Sequence, residues 1–279
     1  MMTLKELKEQ IKTEENVNTL KKWITYYETF LNDNSVSLVP LINYLITHKM
    51  SGKMEDMHSL STSCMLNSFC NAYRSNPDWI CNKCYAFDTL ERYPSLKWKL
   101  ALSTILLTTT ILRDQDIPFI NYFDFRLEAF GDLNNEIQVV NYFNVARKNK
   151  HLNITLYTKN PFIIASAMEK YNVSKPDNMI IVYSEKILNF IPDDEYLNGL
   201  FEKYPFIDKI FIVYTDENAR QYLITRNRKC FYCKLHCNTC KFCYRKSAPE
   251  DPKVIIELEK SEMNKVKKEL KKQNKKGSL

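Results

Sequence analysis

The chain has 279 residues, 44% of them apolar, and 40 basic against 33 acidic side chains give it a formal net charge of +7. That length buries one sizeable core, with or without a small appendage. Four glycines are too few for either common Gly-rich phosphate loop, and no such motif occurs.

The first residues alternate in charge and form no apolar leader, so the expected setting is a reducing cytoplasm, where clustered cysteines suggest metal rather than disulfides. Thr3 followed by Glu6 reads as a capping box, and Leu4, Leu7 and Ile11 form a helical stripe. Leu20, Trp23, Ile24, Tyr27 and Phe30 continue at helical spacing, which makes residues 1–50 mostly helix. The stretch from Cys64 to Cys84 has no sustained period, as expected of a loop wrapped around a ligand. Ser95 is placed to cap a long helix. "LALSTILLTTTIL" (100–112) is too short to span a membrane and reads as a buried helix, so no membrane partner is expected.

From residue 119 the period changes. Phe123, Phe125 and Leu127 alternate as in a strand, and Ile137, Val140, Phe143 and Ala146 then repeat as in a helix. Strands follow at 152–158, 178–184 and 207–215, separated by "PFIIASAMEKY", which opens on Pro161, and "DDEYLNGLFEKY". Strand and helix alternate about every 25–30 residues. This is the pattern of an α/β protein whose parallel βα units form a TIM-barrel-like, whole or partial barrel, with N-terminal helices and a C-terminal cysteine-rich segment. Residues 1–250 form the βα domain. Residues 251–279 form a basic tail with nine lysines against five acids, read as a charged helix over 253–272 with Val254, Leu258 and Val266 as apolar anchors.

All nine cysteines fall in two groups: C-x5-C-x10-C-x2-C at Cys64, Cys70, Cys81 and Cys84, and C-x2-C-x3-C-x2-C-x2-C at Cys230, Cys233, Cys237, Cys240 and Cys243. Thiolates are soft ligands, and four complete a tetrahedral zinc site or hold a cubane iron–sulfur cluster. The second group is tighter than paired zinc hairpins and is closer to the compact runs that hold a cubane. Two 4Fe–4S clusters are therefore expected, with structural zinc as the alternative. Cys230 and Cys233 compete for one place in the second group. Cys233, Cys237 and Cys240 share the C-x3-C-x2-C spacing of radical enzymes, but they follow the βα units instead of preceding them, and Cys243 stands ready as a fourth ligand. His58, His151 and His236 are read as ordinary.

Strand ends are where such folds place their sites. Here they carry Arg126, Glu128 and Asp132, then Tyr157, Thr158, Lys159 and Asn160, then Ser184 and Glu185, then Thr215 and Asp216. Arg126, Tyr157 and Lys159, with Asp132 orienting one cation, are expected to form a pocket for a small anion. An internal Arg–Asp pair is the competing explanation. The basic tail and "RNRKCFYCK", continuing through Lys241, Arg245 and Lys246, also admit nucleic acid as a partner, or merely offset cluster charge.

"SGKMEDMHSLSTSC", "CNKCYA", "FDFRLEAFGDL", "LNITLYTKNP" and the closing cysteine run together resemble the phage "gene product eighty-eight" domain proteins, over about residues 50–245. The resemblance implies a phage or prophage protein with a barrel-related fold and iron–sulfur centres. It also marks Lys53, Arg126, Gly131, Asp132, Tyr157, Thr158 and Lys159. Phe130 stands where the family usually has Ser, and the last run has an extra cysteine and lacks the usual Cys-Pro start. The expected role is redox or regulatory; a scaffold that binds a protein partner or nucleic acid is the alternative.

Overall fold

The structure, a computed structural model, describes residues 2–48, 50, 52–215 and 230–259. Helix α1 (Leu4–Gln10) opens on the expected capping box, with the Thr3 hydroxyl accepting the Glu6 amide at 3.2 Å and the Glu6 carboxylate accepting the Thr3 amide at 2.7 Å. Helices α2 (Asn18–Asn32) and α3 (Val39–Leu45) follow, and their apolar stripes are buried. After strand β1 (His58–Leu60) come α4 (Ser68–Arg74), α5 (Tyr85–Arg92) and α6 (Pro94–Thr109). Pro94 opens α6, so Ser95 lies inside the helix and does not cap it; proline suits a first turn whose amides have no partner.

The expected alternation then unfolds: β2 (Asp124–Leu127), α7 (Glu136–Lys148), β3 (Asn153–Thr158), α8 (Pro161–Lys170), β4 (Met179–Ser184), α9 (Asp194–Lys203) and β5 (Lys209–Tyr214). Two further strands, β6 (Cys230–Tyr232) and β7 (Val254–Leu258), flank the short helix α10 (Cys237–Cys240). The "VIIEL" run at 254–258 is thus a sheet strand rather than the start of a charged helix. Val254 and Leu258 suit either reading, but Ile255 and Ile256 between them are fully buried, as in a strand covered on both faces and unlike a charged surface helix. The rest of the tail, including Val266, lies outside the described residues, as do Arg226, Arg228 and Lys229.

The seven strands form one parallel sheet in the order β1-β2-β3-β4-β5-β7-β6. Through β5 the order never reverses, which keeps the crossover helices on one face, as in barrels and unlike doubly wound sheets. Among the described residues β1 and β6 remain edges, and no pairing closes the sheet. No described helix is long and apolar enough to cross a membrane.

Strand alternation gives the sheet two different faces. Phe125, Leu127, Ile154, Leu156, Ile181, Ile210, Ile212 and Ile256 enter the main core beneath the helices. The registers Arg126↔Thr155, Thr155↔Ile180, Tyr157↔Val182 and Val182↔Lys209 align the opposite face. That face carries Arg126, Thr155, Tyr157, Ile180, Val182, Lys209, Phe211, Ile255 and Glu257. No helix from the βα crossovers covers it; the second cysteine segment does.

Candidate functional site

The second cysteine segment lies on the open face. Phe242 packs with Ile180, Val182 and Ile255, and Cys233, Cys240 and Cys243 pack against the same cluster. Polar anchors fix it there. Thr155 donates to the Cys243 carbonyl at 2.7 Å, and the Tyr157 hydroxyl donates to the Cys243 sulfur at 2.9 Å. The fully buried Lys209 amine donates to the carbonyls of Phe242 and, at 2.8 Å, Arg245. Lys53 reaches across from the other end of the chain, donating to the Cys233 carbonyl at 2.7 Å and pairing with Glu257 at 2.5 Å.

Alternation through β6 separates the two competing cysteines. Cys230 packs against the helix-side core, whereas Cys233 faces Cys240 and Cys243. Cys230 thus lies apart from the other four cysteines of the run. Cys237 lies within electrostatic reach of Cys243, Arg126 and Lys53.

The first cysteine segment caps the C-terminal rim of the sheet. It pairs with the loop after β4, through Ile80 N–H to the Lys186 carbonyl at 2.8 Å and Leu188 N–H to the Asp78 carbonyl at 3.1 Å. Asn67 caps α4 by accepting the Cys70 amide at 3.2 Å, and its own amide group donates to the Asp132 carbonyl at 2.9 Å. Cys64 lies beside Cys84, and Cys70, Cys81 and Cys84 influence one another. Phe130 lies in the apolar cluster around Cys64, with Ala86, Phe87 and Leu90.

Burial pushes most of these thiols up, Cys233 to about 12 and Cys237 to about 11. Cys84 moves the other way: the neighbouring Cys64 thiol, and then the amides of Phe87 and Ala86 and the charge of Lys159, pull it down to about 6. All nine cysteines are free of disulfides. Among the described residues no three His, Cys, Asp or Glu side chains are grouped to hold a single metal ion.

The four strand-end residues do not form one pocket. Arg126 lies over the Tyr157 ring, 3.6 Å from ring centroid to guanidinium carbon, near Tyr244, Tyr85 and Cys237. Lys159 instead donates to Ser184 at 3.2 Å and sits among Cys81, Cys70 and Cys84. Arg126 pairs with Thr155, four residues before Lys159, so the two backbone positions are displaced by roughly 13 Å along the strands. Asp132 accepts from the Thr158 hydroxyl at 2.5 Å and the Lys159 amide at 2.9 Å, which excludes the Arg–Asp pair as an account of its place. Two cavities, of about 220 and 490 Å³, are lined by other residues, the first by Asn67, Leu133 and Asn160 and the second by Trp79 and Ile187. Of the basic residues in the last run, Lys241 pairs with Asp124 at 2.8 Å and Arg245 lies over Phe242.

Behind the first segment is a buried acid that sequence reading placed only as a strand-end residue. Glu128 has a left-handed backbone (φ 56°) and accepts from Thr62, Gln138 and Tyr142. Burial raises its carboxyl to about 8. In the unfolded chain it titrates near 4.5, so between those values the folded protein holds a proton that the unfolded one lacks. Its contribution to stability is full at low pH, falls as pH rises from about 4.5 to about 8, and then levels. Glu128→Gln keeps the acceptor for Tyr142 and Gln138 and removes this titration. Urea melts at several pH values should show the variant gaining on the wild type by up to about 1.4 kcal/mol per pH unit through that window. A constant difference would refute the assignment.

Lys53 entered the sequence reading only through the family resemblance, and Lys209 and Glu257 did not enter as site residues. Lys209 is a lone cation at an alternating position of an apolar strand, which was the available clue. No known family model, curated protein or solved structure matches the chain significantly.

Proposed function

We propose that the chain is a redox protein holding two 4Fe–4S clusters, of the phage or prophage type represented by the "gene product eighty-eight" proteins it resembles. One observation carries this reading: two sets of four thiols lie against the same open sheet system, and each set has its own enclosed cation, Lys159 for the first and Arg126 for the second.

The donor chemistry fits. Four sulfurs around one zinc lie within about 4 Å of one another, because each is about 2.3 Å from the metal. A sulfide-bridged cluster holds its thiolates further apart than one zinc does, and no three of the described side chains are grouped for a single ion. The Arg126 Nε is a buried donor with no partner, and cluster sulfur is the type of acceptor it lacks. Cys64, Cys70, Cys81 and Cys84 would hold one cluster, and Cys233, Cys237, Cys240 and Cys243 the other. When bound, the clusters supply one-electron chemistry. The protein's residues exclude water, offset the thiolate charge and donate to sulfur through Tyr157. In this reading the cations serve the clusters rather than an anionic substrate.

Anaerobic purification is expected to give about eight irons and eight sulfides per chain. Cys230→Ser should keep the full complement, whereas Cys233→Ser should lose about half. Zinc without sulfide would overturn the reading in favour of a structural-zinc protein. Equal loss from both variants would overturn the assignment of the spare thiol.

A further inference from the structure

The two groups of thiols have different electrostatic surroundings, and the difference concerns where an electron would rest. Around the second group are three cations: Arg126 beside Cys237 and Cys243, Lys53 beside Cys233 and Cys237, and Lys209 beside Cys243. One carboxylate, Glu257, faces the same thiols, but Lys53 pairs with it at 2.5 Å. Around the first group are two cations, Lys159 and Lys186, and the buried carboxyl of Asp132. The hydrogen bonds of Asp132 go to Thr158 and the amides of Lys159 and Leu133, not to a cationic side chain.

Donors to sulfur are more nearly matched. Cys84 receives the amides of Phe87 and Ala86 in the first group. In the second, Cys243 receives the Tyr157 hydroxyl at 2.9 Å, and the Lys53 amine is 3.9 Å from the Cys233 sulfur. Charge therefore decides between the groups. Reduction adds one negative charge to a cluster, and nearby positive charge favours that state. Arg126 is the strongest of these influences for three reasons. Its guanidinium stays charged at any working pH, its Nε lacks a protein acceptor, and Tyr157 beneath it also donates to Cys243.

Building on the two-cluster reading above, we propose that Arg126, supported by Tyr157, makes the cluster on Cys233, Cys237, Cys240 and Cys243 the higher-potential centre, so that a single electron given to the protein comes to rest there. The electron comes from a one-electron donor, which is oxidised as one cluster is reduced. No bond in the protein forms or breaks.

The test is a dithionite titration of the anaerobic holoprotein with redox mediators, followed by electron paramagnetic resonance, with iron and sulfide measured on every sample. The wild type should show two one-electron waves. Arg126→Gln should lower the higher wave by at least tenfold in the reduced-to-oxidised ratio, equivalent to about 59 mV for a one-electron couple. It should leave the lower wave in place. Lys159→Gln should move only the lower wave. Tyr157→Phe should give a smaller shift of the higher wave in the same direction, and it carries the test if Arg126→Gln does not fold. Full iron and sulfide with an unmoved higher wave in the folded Arg126→Gln, or in Tyr157→Phe if that variant carries the test, overturns this inference alone. So does a shift of the lower wave by Arg126→Gln. Zinc, or iron without sulfide, overturns the two-cluster reading and this inference with it.

Discussion

Gly131→Ala is expected to destabilise the protein by about 3 kcal/mol or more and to release iron from the first cysteine group only. A Cβ at this position would lie 2.6 Å from the Glu128 carboxylate oxygen Oε2, 2.6 Å from the Thr62 hydroxyl and 2.7 Å from the Thr62 carbonyl. The first two are side-chain atoms that can yield at some cost. The carbonyl cannot, because its segment is clamped on both sides. Ser103 donates to the Ser61 carbonyl at 2.8 Å, the Ser63 amide donates to Thr104 at 2.8 Å, and the Ala129 amide donates to the Ser61 hydroxyl at 2.9 Å. Residue 131 must therefore move, and Asp132 with it. Asp132 holds Thr158 and the Lys159 amide through its side chain and Asn67 through its carbonyl, so the shift reaches both the cation and the α4 cap beside the first thiols. At 2–4 °C per kcal/mol for a domain of this size, the melting temperature should fall by roughly 10 °C. Melting together with iron analysis would check it. A variant within about 1 kcal/mol of the wild type would show that the Gly-Asp pair is not needed for close packing.

Much of the sheet could be read because periodicity is a robust signal where segments are long. The strands around Phe125, Leu156, Ile181 and Ile210 and the helices between them alternate over nearly a hundred residues. The three strands that escaped reading are short or disguised. β1 has three residues, β6 is embedded in a cysteine motif that suggests a loop, and β7 begins a charged stretch whose later residues dominate its pattern. The cysteines could be listed from composition, and Lys159 and Arg126 from their strand ends. Their partners could not. Arg126 and Lys159 look alike in sequence because both lie near the end of a strand, but parallel register places Arg126 opposite Thr155 and leaves Lys159 beyond β3, so each serves a different group. Cys230 and Cys233 likewise meet opposite faces of the sheet, and a motif spacing contains no information on that.

Removing iron with a chelator under anaerobic conditions is expected to lower the melting temperature by at least about 10 °C while leaving much of the helical signal intact. The asymmetry follows from the two faces of the sheet. Beneath the helices, a continuous core from Leu7 through Phe143 and Ile212 to Leu258 contains no member of either cluster-forming set and can persist without metal. The other face and the C-terminal rim are covered by segments with little regular structure: a four-residue helix and short turns around Cys233–Cys243 on the face, and a seven-residue helix with turns around Cys64–Cys84 at the rim. Phe242, Tyr244 and the Lys209 bonds retain part of the second segment, but four half-buried thiols with no common ligand contribute little to closing the rest. Lys53 and Asn238 also tie residues 53–56 to this segment, so its loosening frees the approach to β1 as well. Ligand binding to a site that forms only on folding is itself folding free energy, and both segments should give it up together. Reconstitution with ferrous iron and sulfide should restore the lost transition. If the chelated protein, shown to be free of iron, melted at the same temperature as the holoprotein, the clusters would not be what closes the open face of the sheet.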